Sequence, residues 1–229
     1  MARGYITAPS PQRAMGWHLA CDPRRRLIRG TSYWLLKRAI DLLLCLVSAP
    51  LVLLAIGLCA ILIVLDSSGP IFFYQTRVGK NGRRFRMYKL RTMVANAEML
   101  KPACVGLNQL TPPDFKIADD PRITRIGRLL RRTSLDELPQ IFNVLIGDMS
   151  FVGPRPTSFM PETYKLWQTA RLVVLPGITG LWQISGRARL DFDQRVRLDL
   201  EYIQRQCIWL DLQIMLRTCA QILRGDGAY

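Results

Sequence analysis

TSLDELPQIFNVLIGDMS, residues 133–150, decides how this chain is read. Leu138, Ile141, Phe142 and Leu145 recur at helical spacing, and Gly147 supplies a stop, so a short helix is expected with Asp136 and Glu137 at its start. Two roles fit that pair. Ser134-x-x-Glu137 has the form of a capping box, and Asp136 has the form of an N-cap, with Pro139 tolerated in the first turn. Alternatively, the pair follows directly on Arg131 and Arg132, and a helix N-terminus keeps carboxylates ionised, able to ligate Mg²⁺ or attack phosphorus. Local pattern alone leaves both open.

The rest of the chain supplies the setting. In 229 residues, 32 Lys and Arg stand against 17 Asp and Glu, a formal charge of +15, while 49% of residues are hydrophobic. A basic chain this apolar is no disordered polycation, and its partner is an anion. The single histidine, His18, lies in the N-terminal arm, which excludes a Ser-His-Asp triad or a His-rich zinc site around the acidic pair. Six cysteines (21, 45, 59, 104, 207 and 219) form no C-x-x-C motif and read as reduced structural thiols.

Leu42 to Leu65 runs 24 residues without a formal charge. As one helix it would reach about 36 Å, enough to span a bilayer. Yet residues 1–40 carry eight Lys and Arg with Asp22 the sole acid, and residues 66–101 carry eight against Asp66 and Glu98. Two equally basic flanks fit a segment that enters and leaves on the cytoplasmic face. Ser48-Ala49-Pro50 offers the turning point, because Pro50 removes an amide donor and Ser48 can help satisfy freed backbone groups. A kinked but fully spanning helix is the alternative.

Residues 71–78 and 83–90, separated by Gly79-Lys80-Asn81-Gly82, predict a β-hairpin whose second strand carries interleaved basic and aromatic residues. Residues 99–120, with three prolines, read as a loop. Arg122, Arg125, Arg128 and Arg131 then recur every third residue beside an apolar face, a basic amphipathic helix suited to phosphates or headgroups. Pro154 and Pro156 restrict the backbone around Arg155, presenting its guanidinium rigidly for bidentate phosphate recognition. Gly177, Gly180 and Gly186, with Arg187, form a glycine loop able to approach a diphosphate. A last helix is expected from about Phe192 to Leu223, with Trp209 a candidate interfacial anchor.

Taken in order, KRAID (37–41), the proline-bearing apolar segment, DSSGPIFFYQTRVG (66–79), YKLRTM (88–93), the 119–156 block and LPGITGLWQISGR (175–187) resemble the monotopic phosphoglycosyl transferases, bacterial sugar transferases that initiate exopolysaccharide and glycoconjugate synthesis. The likeness covers roughly residues 35–229 and is nearest the minimal, ExoY-type exopolysaccharide transferases for galactose or glucose phosphate.

The resemblance implies an α+β, mainly α-helical monotopic membrane protein. A basic arm (1–34) and a re-entrant helix-break-helix (35–66) would precede a compact cytosolic, membrane-surface domain with a small β-hairpin (67–229). It implies transfer of a sugar-1-phosphate from a UDP-sugar to undecaprenyl phosphate, releasing UMP, through a two-step aspartyl-phosphosugar route at the cytoplasmic face of the inner membrane. Asp136 matches the nucleophile and Mg²⁺ ligand, and Glu137 its dyad partner. Lys89, Arg131, Arg155, Arg187 and Asp199 match positions around the phosphates. Lys37, Arg38, Asp41, Ser48 and Pro50 match the membrane-entry motif, with its cations toward lipid phosphates. Expected partners are the two substrates, membrane lipids and downstream glycosyltransferases, with no nucleic acid. Two competing classes are a membrane-tethered polyanion-binding module, in which the acidic pair merely caps a helix, and a bitopic scaffold.

Overall fold

A computed structural model describes residues 30–100, 102–107, 117, 119–159, 163–186 and 190–224. Its first element, α1 (Gly30–Asp66), is a 37-residue helix that continues through Pro50. At 1.5 Å per residue it is about 55 Å long along its path. Tyr33, Lys37, Asp41, Cys45, Ile56, Cys59 and Ile63 are buried, with Ser48, Ala49 and Val52 half-buried between them, so one stripe at i, i+3/i+4 spacing runs the whole length. Leu43, Leu46, Val47, Leu51, Leu54, Leu58, Ile61 and Leu65 point outward and are exposed. The expected helix-break-helix is therefore a continuous helix here. Pro50 costs the hydrogen bond to the Leu46 carbonyl, and Ser48 does not replace it, since its Oγ donates instead to the Leu44 carbonyl at 2.7 Å. Packing of the stripe on both sides of the proline carries the helix through.

The hairpin forms as expected. β1 (Phe72–Val78) and β2 (Arg84–Leu90) pair antiparallel with Phe72 opposite Leu90, and the connection places Asn81 at φ 56° and Gly82 at φ 76°, the left-handed region for which Asn-Gly is suited. Phe85, Met87 and Leu90 of β2 are buried while Arg84 and Arg86 are exposed, so those two arginines form a solvated face. Next, α2 (Ala97–Leu100) and a 3₁₀ turn at Pro102–Leu107 occupy part of the expected loop. Two helices follow, α3 (Arg125–Thr133) and α4 (Gln140–Ile146), joined through a 3₁₀ turn at Leu135–Glu137. The expected four-arginine stripe is split. Arg122 precedes α3 and is buried in an ion pair with Asp120, Nη2 to Oδ2 2.6 Å, while Arg125 and Arg128 face outward.

α1 holds this segment at both ends. Near its N-terminus, Arg38 donates to the Val144 and Leu145 carbonyls at 2.5 and 2.9 Å, capping the C-terminus of α4. At its C-terminus, Asp66 accepts from the Ile126 amide at 3.0 Å, capping the N-terminus of α3 beside the Thr124 cap. The turn between α3 and α4 is thus fixed by one helix acting on its two flanks.

The remaining elements close the domain. β3 (Ser150–Val152) pairs parallel with β4 (Gly177–Thr179), an arrangement for which the sequence offers no local signal. It also reassigns part of the glycine loop: a Cβ on Gly177 would lie 2.1 Å from the Gly153 amide nitrogen and one on Gly180 2.4 Å from the Gly153 carbonyl oxygen, so these two glycines permit backbones to touch and are not free to cradle a phosphate. α5 (Leu181–Ser185), α6 (Phe192–Arg205) and α7 (Ile208–Leu223) complete the chain, the expected single last helix being broken at Gln206 and Cys207. Val152, Leu181, Ile184, Tyr202, Leu210 and Ile214 form one core cluster there, and Cys45, Phe85, Met87, Ile141, Val144 and Met149 form another beneath α1. The cysteines described are free thiols, while Cys21 lies outside the described residues, as does nearly all of the basic arm.

Candidate active site

Asp136 and Glu137 sit in the 3₁₀ turn, and neither carboxylate caps a helix. Ser134 is the left-handed C-cap of α3 at φ 58° and makes no side-chain cap bond, and α4 begins behind Pro139, also without a side-chain cap. The capping-box reading is thereby removed. Both carboxylates meet Lys89 of β2, and Glu137 also meets Arg155 of the Gly153–Pro156 loop, which frames the candidate cleft.

Their partners differ. Lys89 Nζ lies 2.8 Å from Glu137 Oε1 but 3.5 Å from Asp136 Oδ2. Arg155 grips Glu137 with both terminal nitrogens, Nη1 donating to Oε2 at 3.1 Å, and its Nη1 also donates to the Ile178 carbonyl at 3.2 Å. Burial alone would raise the Glu137 pKa, but Arg155 and then Lys89 overcome it and hold the carboxyl well below its ordinary range. For Asp136 burial wins: its pKa is raised, with Lys89 opposing and the Glu137 charge adding to the rise. Adjacent carboxylates in one turn are thus driven apart, one a saturated anion, the other a weakly stabilised one.

Lys89 is brought to this point by a polar clamp. Asn143 of α4 accepts from the Tyr88 amide at 3.0 Å and donates to the Arg86 carbonyl at 2.7 Å, locking the edge of β2 against the helix that follows the dyad. Asn143 and Gln140 are fully buried, and two polar residues on an otherwise apolar helix were the sequence signal for such a clamp. Sequence reasoning also missed Arg77. This side chain, at the end of β1, is pushed down to about 10 by burial and by the neighbouring Arg155 charge, and its Nη2 donates to Gln75 at 2.5 Å. Val78 pairs with Thr157, which seats β1 against the Arg155 loop. Lys89, Arg155 and Arg77 together outnumber the two carboxylates, leaving a cleft with spare positive charge.

Of the other expected site residues, Arg131 stands one turn before the dyad with Nε donating to Thr92 Oγ1 at 2.9 Å, and its charge acts on Asp136. Arg187 lies outside the described residues. Asp199 is not at the cleft: it is 1% exposed and pairs with Arg171 at 2.6 Å. The membrane-entry cations are engaged within the chain. Lys37 is buried 2.8 Å from Asp211, half-buried Arg38 caps α4, and Asp41 accepts from the Phe151 amide at 3.2 Å, so the motif pins α1 to the domain. Pro50 is exposed and Ser48 is half-buried.

Comparison with known proteins finds similarity over most of the chain. The family model for bacterial sugar transferases matches residues 32–225. A galactosyl transferase, CpsE, of Streptococcus agalactiae serotype III is 48% identical over 202 residues, covering 86% of this chain and 44% of that protein. The undecaprenyl-phosphate galactose phosphotransferase of Salmonella typhimurium is 44% identical over 171 residues, 72% of this chain and 36% of that one. The exopolysaccharide production protein ExoY of Rhizobium meliloti is 35% identical over 204 residues, 84% of this chain and 88% of that one. The chain therefore spans less than half the length of the first two relatives and most of the third.

Proposed function

Because this chain belongs to the bacterial sugar transferase family, we propose that it moves a hexose-1-phosphate, galactose or glucose, from a UDP-sugar to undecaprenyl phosphate and releases UMP, initiating exopolysaccharide or glycoconjugate synthesis. The name of the Salmonella relative supports galactose phosphate and undecaprenyl phosphate as substrates, that of the Streptococcus relative supports galactosyl transfer, and that of the Rhizobium relative supports exopolysaccharide production. The observation that carries the reading is Asp136: a buried carboxylate with no capping role, held loosely beside a tightly paired Glu137 in a cationic cleft.

In the first step an Asp136 carboxylate oxygen bonds to the sugar-bearing phosphorus while the bond from that phosphorus to the bridging oxygen breaks, and UMP leaves with the electron pair. In the second, a phosphate oxygen of undecaprenyl phosphate attacks the same phosphorus and the aspartyl oxygen departs, restoring the carboxylate. Lys89, Arg155, Arg77 and Arg131 bind and orient the diphosphate and spread its negative charge, the main demand of phosphoryl transfer. Glu137 keeps Lys89 and Arg155 in place until phosphate oxygens compete for them.

Magnesium needs only one or two carboxylates when a substrate's phosphates complete its shell. The described residues fit that use, since they present Asp136 with spare acceptor capacity next to Glu137. Asp136 would hold the ion, which would neutralise diphosphate charge.

A monotopic placement at the cytoplasmic face is supported by the way α1 lies along the domain. An 18-residue window of the helix has a mean hydropathy of 2.8 and its exposed leucines suit lipid, while its buried stripe is docked on one domain from Tyr33 to Ile63. A spanning helix would have to part from that domain at one end. Phe142, Leu145 and Ile146 of α4 are exposed and apolar, and α4 begins at the dyad, giving the acceptor's tail an apolar surface that leads to the reacting carboxylate. Incubation with UDP-galactose or UDP-glucose, undecaprenyl phosphate and Mg²⁺ tests the reading. UMP release with formation of the lipid diphosphate sugar is expected; polyanion binding without UMP would favour the tethered binding module.

A further inference from the structure

Asp199 and Arg171 form a buried ion pair behind the cleft. Arg171 comes from the 3₁₀ segment Leu166–Val173 and is 4% exposed, Asp199 from α6 and is 1% exposed. Their contact of 2.6 Å lacks hydrogen-bond alignment, and Asp199 is pushed up to about 6 by burial, against the lowering pull of Arg171 and Arg195. A pair this poorly solvated is a doubtful contribution to stability, since apolar residues of like volume commonly do as well or better. The same Arg171 Nη2, however, donates to the main-chain carbonyl of Arg155 at 2.7 Å.

That contact changes what the pair accomplishes. Pro154 and Pro156 limit the backbone on both sides of Arg155, and Val78 donates from β1 to the Thr157 carbonyl at 3.0 Å. Arg171 adds a charge-assisted bond at the peptide that carries the guanidinium. The guanidinium itself is fixed by Ile178 and Glu137, against repulsion from Arg77. A small cleft lined by Val78, Arg155, Tyr164 and Arg171 opens beside this loop. We propose that Arg171 and Asp199 are positioning residues for Arg155: Asp199 neutralises and orients Arg171, and Arg171 holds the Arg155 backbone so that its guanidinium meets the donor's nucleotide diphosphate. This rests on the reading of the site as a UDP-sugar transferase.

Arg171→Met and Asp199→Asn, each alone and combined with Arg155→Met, test it in the full-length protein. Each single change should raise KM for the UDP-sugar about tenfold, with KM for undecaprenyl phosphate and kcat within about threefold, and should weaken calorimetric binding of UDP alike. In the Arg155→Met background either change should add less than about twofold, because the two act through that arginine. Equal tenfold effects in both backgrounds, or a fall in kcat and both affinities together, would make the pair merely structural and overturn the proposal. Should Arg171→Met not fold, Asp199→Asn, which keeps volume and leaves Arg171 in place, gives the same decision. Wild-type protein that neither binds UDP nor releases UMP would instead end the transferase reading itself, and this proposal with it.

Discussion

Two buried carboxylate centres, one on α7 beneath α1 and one in the turn before α4, use the same residue types to opposite ends. Under α1, Asp211 receives Lys37 at 2.8 Å and Tyr33 at 3.1 Å on one oxygen and Tyr202 at 2.7 Å on the other, so its acceptor capacity is filled by three donors from α1 and α6. At the dyad, Glu137 is filled in the same manner by Lys89 and Arg155, but Asp136 beside it meets its lysine only at 3.5 Å. Saturation makes Asp211 a rivet between α1 and α7. Incomplete pairing leaves Asp136 with lone pairs for a metal or a phosphorus atom, and the surplus of arginines around it waits for an anion.

If the contrast is right, the largest effect belongs to Asp136. Asp136→Asn should lower turnover by about three orders of magnitude or more, with helix content and melting temperature close to wild type, because neither Asp136 nor Ser134 caps a helix here. The converse is expected of Asp211→Asn, which removes the carboxylate paired with buried Lys37 at 2.8 Å. It should cost about 3–5 kcal/mol of stability, seen as a lowered denaturation midpoint, while kcat of the folded fraction is preserved. Loss of chemistry without loss of fold at Asp211 would erase the distinction.

The riveting of α1 at both ends has a topological consequence. A single cysteine at position 21, or a Ser68→Cys replacement at an exposed site just after α1, should each resist a membrane-impermeant maleimide in intact spheroplasts and react once the membrane is opened. Labelling of one from outside would mean a spanning helix. Native Cys104 is a poor probe for this purpose because it is buried.

A smaller effect is expected from pH. The folded-state pKa of Asp199 lies at about 6, above its unfolded value of about 3.8, so the folded protein holds this proton more tightly. The stability it contributes is complete below the unfolded pKa and is lost as pH rises through about 6. The melting-temperature gap between wild type and Asp199→Asn should accordingly shrink from pH 4 to pH 7. A gap that widens over that range would contradict the burial of Asp199 beside Arg171.

Much of this was legible in the chain where the cause is local. Asn81-Gly82 dictates the left-handed turn of the hairpin, and Gly147, at φ 90°, ends α4 where the pattern placed the stop. The family blocks around Asp136 and Arg155 marked the residues that gather at the cleft. What was not legible depends on partners far away in sequence. Arg38 reaches Val144 across 106 positions and Asp66 reaches Ile126 across 60, and no local pattern tells a lipid-facing cation from a helix cap. For the same reason Gly177 resembled a phosphate loop until the opposing Gly153 backbone occupied its space. Pro50 carried a sound local argument for a break, which packing along the whole stripe of α1 overrides.

The account stands most directly on whether Asp136 becomes covalently modified. Enzyme mixed with a UDP-hexose and Mg²⁺ in the absence of lipid, then quenched and digested, is predicted to release up to one UMP per site and to carry the added mass of a hexose phosphate on the peptide containing Asp136. Subsequent addition of undecaprenyl phosphate should discharge that mass. UMP appearing only when both substrates are present, with an unmodified Asp136 peptide at every time point, would contradict the assignment and leave direct displacement in its place.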